Sequence, residues 1–201
     1  MFNRKSFKRF LSHYQPDAGD QSAPLQLPPP FIASGFVEFM SQFSGCTFNE
    51  GIYRLHTQSS GELGNRLAAD AFPDFAHRIH CFGFNWLGDQ YALDLERREH
   101  GESLILMLDP GAGEALEIPA TFLKIHDEEM VESPDAALVS NFFESWVAEN
   151  RHLLPLAPTD CVGYKVPLFL GGEDTIENLE VIDLDVYWTI FGQLRRRAEQ
   201  L

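Results

Sequence analysis

Apolar positions recur at helical spacing in several stretches of this chain and alternate, or run together, in others. Phe36, Phe39, Met40 and Phe43 share one face and predict a helix within Phe31–Phe43 that stops at Gly45. Leu63 to Phe75 has the same pattern until Pro73 interrupts it. Phe48 to His56 reads as a turn and strand around Gly51-Ile52-Tyr53-Arg54-Leu55. Ile79, Cys81, Phe82 and Phe84, followed by Tyr91, Leu93 and Leu95, predict a hairpin with Asn85–Asp89 at its turn. Leu104–Leu108 reads as a buried strand, Asp109-Pro110-Gly111-Ala112-Gly113 as a turn, and Ala115–Ile118 as the returning strand.

Phe122–Met130 predicts a short helix. Ser133 as N-cap and Pro134 as first residue open another, with Leu138, Phe142, Trp146 and Val147 on one face. Val166–Leu170 then reads as a short buried strand, placed at an edge by Pro167 and broken by Gly171-Gly172. After an acidic link, Leu184, Tyr187, Trp188, Phe191 and Leu194 outline a closing helix. Asp183 or Asp185 can cap its first turn, and Arg195, Arg196 and Arg197 sit where the helix dipole favours positive charge. These elements predict an α+β fold, a mixed, mostly antiparallel sheet flanked by helices. Residues 1–24 form a basic, aromatic arm and linker, and residues 25–201 form one α+β domain.

Charge changes this picture more than composition does. At 201 residues and 44% hydrophobic, the chain can bury a sizeable core. Its net charge is −15. Arg4, Lys5, Lys8, Arg9 and Arg195 to Arg197 are seven of 15 basic residues; positions 10–194 keep 8 of them against 29 acids (30 less Glu199), so 8 − 29 = −21. Such a body repels nucleic acid and anionic membrane and steers towards a basic partner, though solubility alone also accounts for an acidic surface. Phe2, Phe7, Phe10 and Leu11 in the basic arm fit contact with a membrane surface, a short helix packed on the body, or a loose arm. Met1–Tyr14 has no apolar signal-peptide core, and no apolar run approaches the roughly 20 residues that span a bilayer. With three well-separated cysteines, Cys46, Cys81 and Cys161, this points to free thiols in the cytoplasm and to no stable membrane insertion.

Candidate chemistry is sparse. His77, His80 and Cys81 are the densest set of metal-ligand types, but on a strand His80 and Cys81 point to opposite faces, so no metal is expected. Asp127-Glu128-Glu129 with Glu132, and Glu173-Asp174 with Glu177, could do acid–base work or bind calcium, but lack the Asp-x-Asp-x-Asp-Gly spacing. Gly111-Ala112-Gly113 and Gly171-Gly172 have no phosphate-loop pattern. The residues supply no catalytic set and imply no cofactor.

Two segments carry a resemblance. Phe82-Gly83-Phe84-Asn85-Trp86-Leu87-Gly88-Asp89-Gln90-Tyr91-Ala92-Leu93-Asp94 is one. The other runs from Val166-Pro167-Leu168-Phe169-Leu170-Gly171-Gly172-Glu173-Asp174 through Glu177-Asn178-Leu179-Glu180 to Asp183-Leu184-Asp185-Val186-Tyr187. Both resemble the C-terminal domain family of type VI secretion immunity proteins, related to the wider SUKH immunity superfamily. Pro30 to Phe43 and Gly51-Ile52-Tyr53-Arg54 are similar to its opening helix and turn. The resemblance implies a small SUKH-like single domain that binds and silences a cognate toxin. No catalytic residues carry over, since Gly83, Trp86, Gly88, Gly171, Gly172, Asp183, Asp185 and Tyr187 belong to a chiefly structural motif. Charge and resemblance together single out Glu173, Asp174 and Glu177, with Asp127, Glu128 and Glu129 as a second patch, for contact with a basic toxin such as a nuclease. The competing readings are a scaffold protein docking through its aromatic arm, and a ligand-binding protein or enzyme with a cleft beside the acidic loop.

Overall fold

The alternating segments assemble into one antiparallel meander. Six strands lie side by side in sequence order: β1 (Thr47–Phe48), β2 (Tyr53–Leu55), β3 (Ile79–Asn85), β4 (Gln90–Glu99), β5 (Glu102–Asp109) and β6 (Glu114–Thr121). This is a computed structural model, which describes residues 7–17, 19 and 22–198. Tight turns are sufficient for such a sheet. Asn85 Oδ1 accepts from the N–H groups of Leu87 and Asp89, both at 3.0 Å, closing the β3–β4 turn. Asp109 Oδ1 accepts from Ala112 N–H at 2.9 Å and closes the β5–β6 turn. Every neighbouring pair is antiparallel; short links leave no length for a parallel crossover at four of the pairs, whereas residues 56–78, between β2 and β3, carry a helix over Gln58–Ala71.

One face of the sheet is covered by α1 (Lys8–His13), α2 (Phe36–Phe43) and a bent segment. That segment joins α4 (Phe122–Lys124), a π-helical turn (Ile125–Glu129), α5 (Met130–Glu132) and α6 (Pro134–Leu138). Phe7, Phe10, Phe36, Phe39, Phe48, Tyr53 and Phe122 are buried together here. His126 lies among them, its Nδ1 2.7 Å from Phe122 O and its Nε2 2.9 Å from the Tyr53 hydroxyl. A carbonyl can only accept, so the ring donates from Nδ1 and accepts from Tyr53. Burial lowers its pKa to about 4 and keeps it neutral. Of the basic arm, α1 thus faces the core with Phe7 and Phe10, whereas Phe2, Arg4 and Lys5 lie outside the described residues.

The other face carries α3 (Gln58–Ala71) and α8 (Leu184–Ala198). Thr57 and Ser60 form a reciprocal capping box at the start of α3. Gly64 brings that helix close to the sheet, where a Cβ would stand 3.1 Å from His56 Nε2 and 3.2 Å from Gln90 Oε1. Ser60 and Leu184 line one cleft at the N-terminal ends, and Gly192 packs on Ala71 towards the C-terminal ends, so the two helices run parallel. Their dipoles then add side by side. Arg195 Nη1 compensates at one end by donating to Ala71 O at 2.6 Å, and Arg196 donates to Asp70 O. Trp188 Nε1 donates to Gly88 O at 2.8 Å and pins α8 to the β3–β4 turn.

Two sequence expectations are corrected here. The strand expected at Val166–Leu170 is absent: β7 (Asp160–Tyr164) precedes it and pairs with β8 (Leu179–Asp183), while Leu168–Leu170 is a 3-10 turn. Pro167 has no N–H for a ladder, and Val166 and Leu170 remain exposed. The single helix expected after Ser133 is two, α6 and α7 (Ser140–Asn150), broken at Val139 in the left-handed region at φ 53°. Asp135 Oδ1 accepts from Asn141 N–H at 2.9 Å in the first turn of α7. Ser133 occupies the N-cap position of α6 without a side-chain capping bond.

Candidate functional site

The β7–β8 connection, residues 165–178, is a loop without a ladder of its own, held by side chains. Asn178 clamps it: its Oδ1 accepts from Val166 N–H at 3.0 Å, and its Nδ2 donates to Val166 O at 2.9 Å and to Glu173 O at 2.8 Å. Lys165 Nζ donates to Glu177 O at 2.7 Å. Gly172 is required by proximity, since a Cβ would fall 2.1 Å from Val166 O. Leu168 N–H bonds Gly111 O at 2.9 Å, and Phe169 packs beside Gly113 and Phe191, seating the loop on the β5–β6 turn and α8.

Three predicted acids project from this frame. Glu173, Asp174 and Glu177 are exposed. Asp174 Oδ1 accepts from the Tyr164 hydroxyl at 2.6 Å, which fixes its carboxylate on β7. The backbone N–H of Glu177 and the Thr175 hydroxyl hold the Glu177 carboxyl below its usual range. The loop presents three exposed acids on a clamped backbone, with exposed Val166 and Leu170 on the same segment.

The second acidic patch rests on a different support. Asp127 Oδ1 accepts from the N–H groups of Arg9 and Phe10 at 2.8 and 3.0 Å, capping the start of α1. Arg9 also pairs with Glu132 at 2.6 Å. Glu128 is exposed and Glu129 half-buried. Asp127 therefore ties α1 to the bent segment, a role sequence spacing could not reveal across 118 residues.

The motif residues lie at the join between the sheet and the C-terminal elements. Trp86 Nε1 donates to Leu138 O at 3.1 Å. A Cβ on Gly83 would meet Arg54 O at 2.5 Å, and one on Gly163 would meet the Tyr187 ring at 2.6 Å. Asp183 Oδ1 accepts from the N–H groups of Asp185 and Val186, capping α8, and Asp185 Oδ1 accepts from the Thr189 hydroxyl. His80 contacts Gln26 O through Nε2 at 2.9 Å, whereas Cys81 lies against α3 beside Gly64.

Buried Asp89 and half-buried Asp109 form a carboxyl pair at the same join. Burial and the neighbouring Asp109 raise the Asp89 pKa well above the carboxylate range, and Asn85 Nδ2 donates to Asp89 at 2.7 Å. Burial likewise raises Asp109. A raised carboxyl pKa contributes stability that is complete below the unfolded-state value and is lost as pH rises through the folded one. Unfolding by denaturant from about pH 5 to about pH 9 should show this loss, and Asp89→Asn should flatten it. Parallel pH profiles for the two proteins would refute the raised Asp89 carboxyl.

The match to a known family falls on these same C-terminal elements. Residues 124–195 match the family described as T6SS immunity protein Tdi1, C-terminal. This is the type VI secretion immunity family that the sequence motifs resemble. The matched segment contains the clamped loop and nearly all of α8. The fold as a whole is similar to the crystal structure of Atu4351 from Agrobacterium tumefaciens, with a TM-score of 0.56 and 16% identity over 93% of this chain and 88% of that one. At that identity the likeness is one of fold. No curated protein matches the sequence. Among the described residues, no helix is long and apolar enough to cross a membrane.

Proposed function

We propose that this chain is a type VI secretion immunity protein that binds a cognate toxin in the cytoplasm of the producing cell and occludes it without turnover. The match of residues 124–195 to the immunity family carries this reading. The acidic loop lies within that segment, and its exposed carboxylates, on a chain of net charge −15, fit a basic toxin surface. A nuclease is the toxin class with a basic cleft of this kind. Glu173, Asp174 and Glu177 form the main contact, with Glu128 and Glu129 as a second patch. Capture of tagged protein from its own cell lysate, washed at low and high salt, tests the reading. A single basic toxin released by salt is the expected result. No protein partner, with a small molecule retained instead, would move the assignment to a ligand-binding protein.

A further inference from the structure

Arg54 is the anomaly of the sheet face that packs against α3. It stands in register between Thr47 and Phe84 on neighbouring strands and is 1% exposed. Its Nη1 donates to Asp160 O, while Nε and Nη2 have no partner. Among the described residues it makes no ion pair. Burial lowers its pKa only to about 10, so it stays charged at neutral pH. A buried cation without a direct ion pair is costly, even with the Asp160 carboxylate acting on it at longer range, and unsatisfied donors of this kind commonly mark the place of an ion or water.

A cavity of about 200 Å³ adjoins it, with Arg54 in its wall. The guanidinium lies over the ring of Phe84 at 5.1 Å, and its carbonyl partner Asp160 follows Thr159; Phe84 and Thr159 are also wall residues. The remaining wall brings the hydroxyls of Thr57, Ser59 and Ser60, and that of Thr47, which donates to Asp17 Oδ2 at 3.2 Å; no wall residue is itself a carboxylate, in a chain of net charge −15. Thr57, Ser59 and Ser60 belong to the start of the 14-residue helix α3, whose dipole adds positive potential. A smaller adjoining cleft of about 90 Å³ shares Ser60, Phe84 and Thr159 but adds Asp183 and Asp185, which confines an anion to the Arg54 end.

We propose that this cavity binds an oxyanion of the phosphate class, free or as the terminal group of a small ester, between Arg54, the hydroxyls and the start of α3. The cavity shares no wall residue with the acidic loop proposed to meet the toxin. Inorganic phosphate and glycerol phosphate are the probes, each titrated against chloride at matched ionic strength. The expected result is a saturable rise in the thermal midpoint and, at the same concentrations, a shift of the Arg54 Nε–Hε resonance. Saturation by the ester alone assigns the site to an esterified phosphate, and saturation by inorganic phosphate alone to the free ion. Ser59→Glu sets a carboxylate in the wall at a helix position where an acid is favourable, so the variant keeps its fold and should lose about tenfold or more in affinity. No saturable response to either probe, or a Ser59→Glu protein that responds like the wild type, overturns the proposal.

Discussion

Replacing Phe10 by alanine is expected to destabilise the protein by about 3–5 kcal/mol, a large share of the total stability of such a domain. Phe10 has no solvent exposure and sits at the centre of the aromatic face. Its ring lies 4.8 Å from that of Tyr14, 5.1 Å from Phe48 and 5.2 Å from His126. These neighbours come from different elements, and the sheet under them cannot close the gap, so most of the lost volume remains as a cavity. Denaturant unfolding measures the loss. A change below about 1 kcal/mol would mean that α1 is only loosely docked. The same burial affects the scaffold reading, because deleting the arm to test for a docking segment would also remove Phe10 from the core.

Reversing Glu173 and Asp174 together to lysine is expected to slow association with the toxin by about tenfold or more at low salt and to flatten the dependence of that rate on ionic strength. The two side chains are exposed on a loop fixed by Asn178, so reversal changes the local field without needing the loop to reorganise. Asp174 also accepts from Tyr164, so Asp174→Asn is the control. It keeps an acceptor for the hydroxyl while removing the charge, and separates lost field from lost loop geometry. Stopped-flow association at two salt concentrations reads the effect. If the doubly reversed protein associates at the wild-type rate, these residues lie outside the interface.

Hairpins and the closing helix were legible in the sequence because their signals are local. Asn85 to Asp89 and Asp109 to Gly113 carry the turn chemistry within a few residues, and the face formed by Leu184, Trp188 and Phe191 repeats at the helical period. The strand at Asp160–Tyr164 was not legible. It begins with an acid and includes Gly163, whose missing side chain makes room for the Tyr187 ring, while the more apolar Val166–Leu170 competed for the assignment. The break at Val139 runs against propensity, since a β-branched residue rarely adopts positive φ. At the candidate site, the acids could be named from charge but their supports could not. Asn178 reads as an ordinary polar residue until the loop closes around it, and Asp127 until α1 arrives. Arg54 gave one faint signal, a charge inside a strand whose flanking residues are apolar, but its carbonyl partner is 106 residues away.

The parallel pairing of α3 and α8 has a consequence for the order of events during synthesis. The carbonyl at the end of α3 meets its arginine 124 residues later, and Gly88 meets Trp188 100 residues later. The acidic loop is also made before Phe191, the ring against which its Phe169 rests. On the ribosome, the sheet and the loop therefore exist for a time with one apolar flank open, and chaperones have that interval in which to hold it. The clamp made by Asn178 precedes α8 in the chain, but the seat of Phe169 on Phe191 does not, so a stalled or truncated nascent chain would offer the acids on a loop that lacks one of its supports.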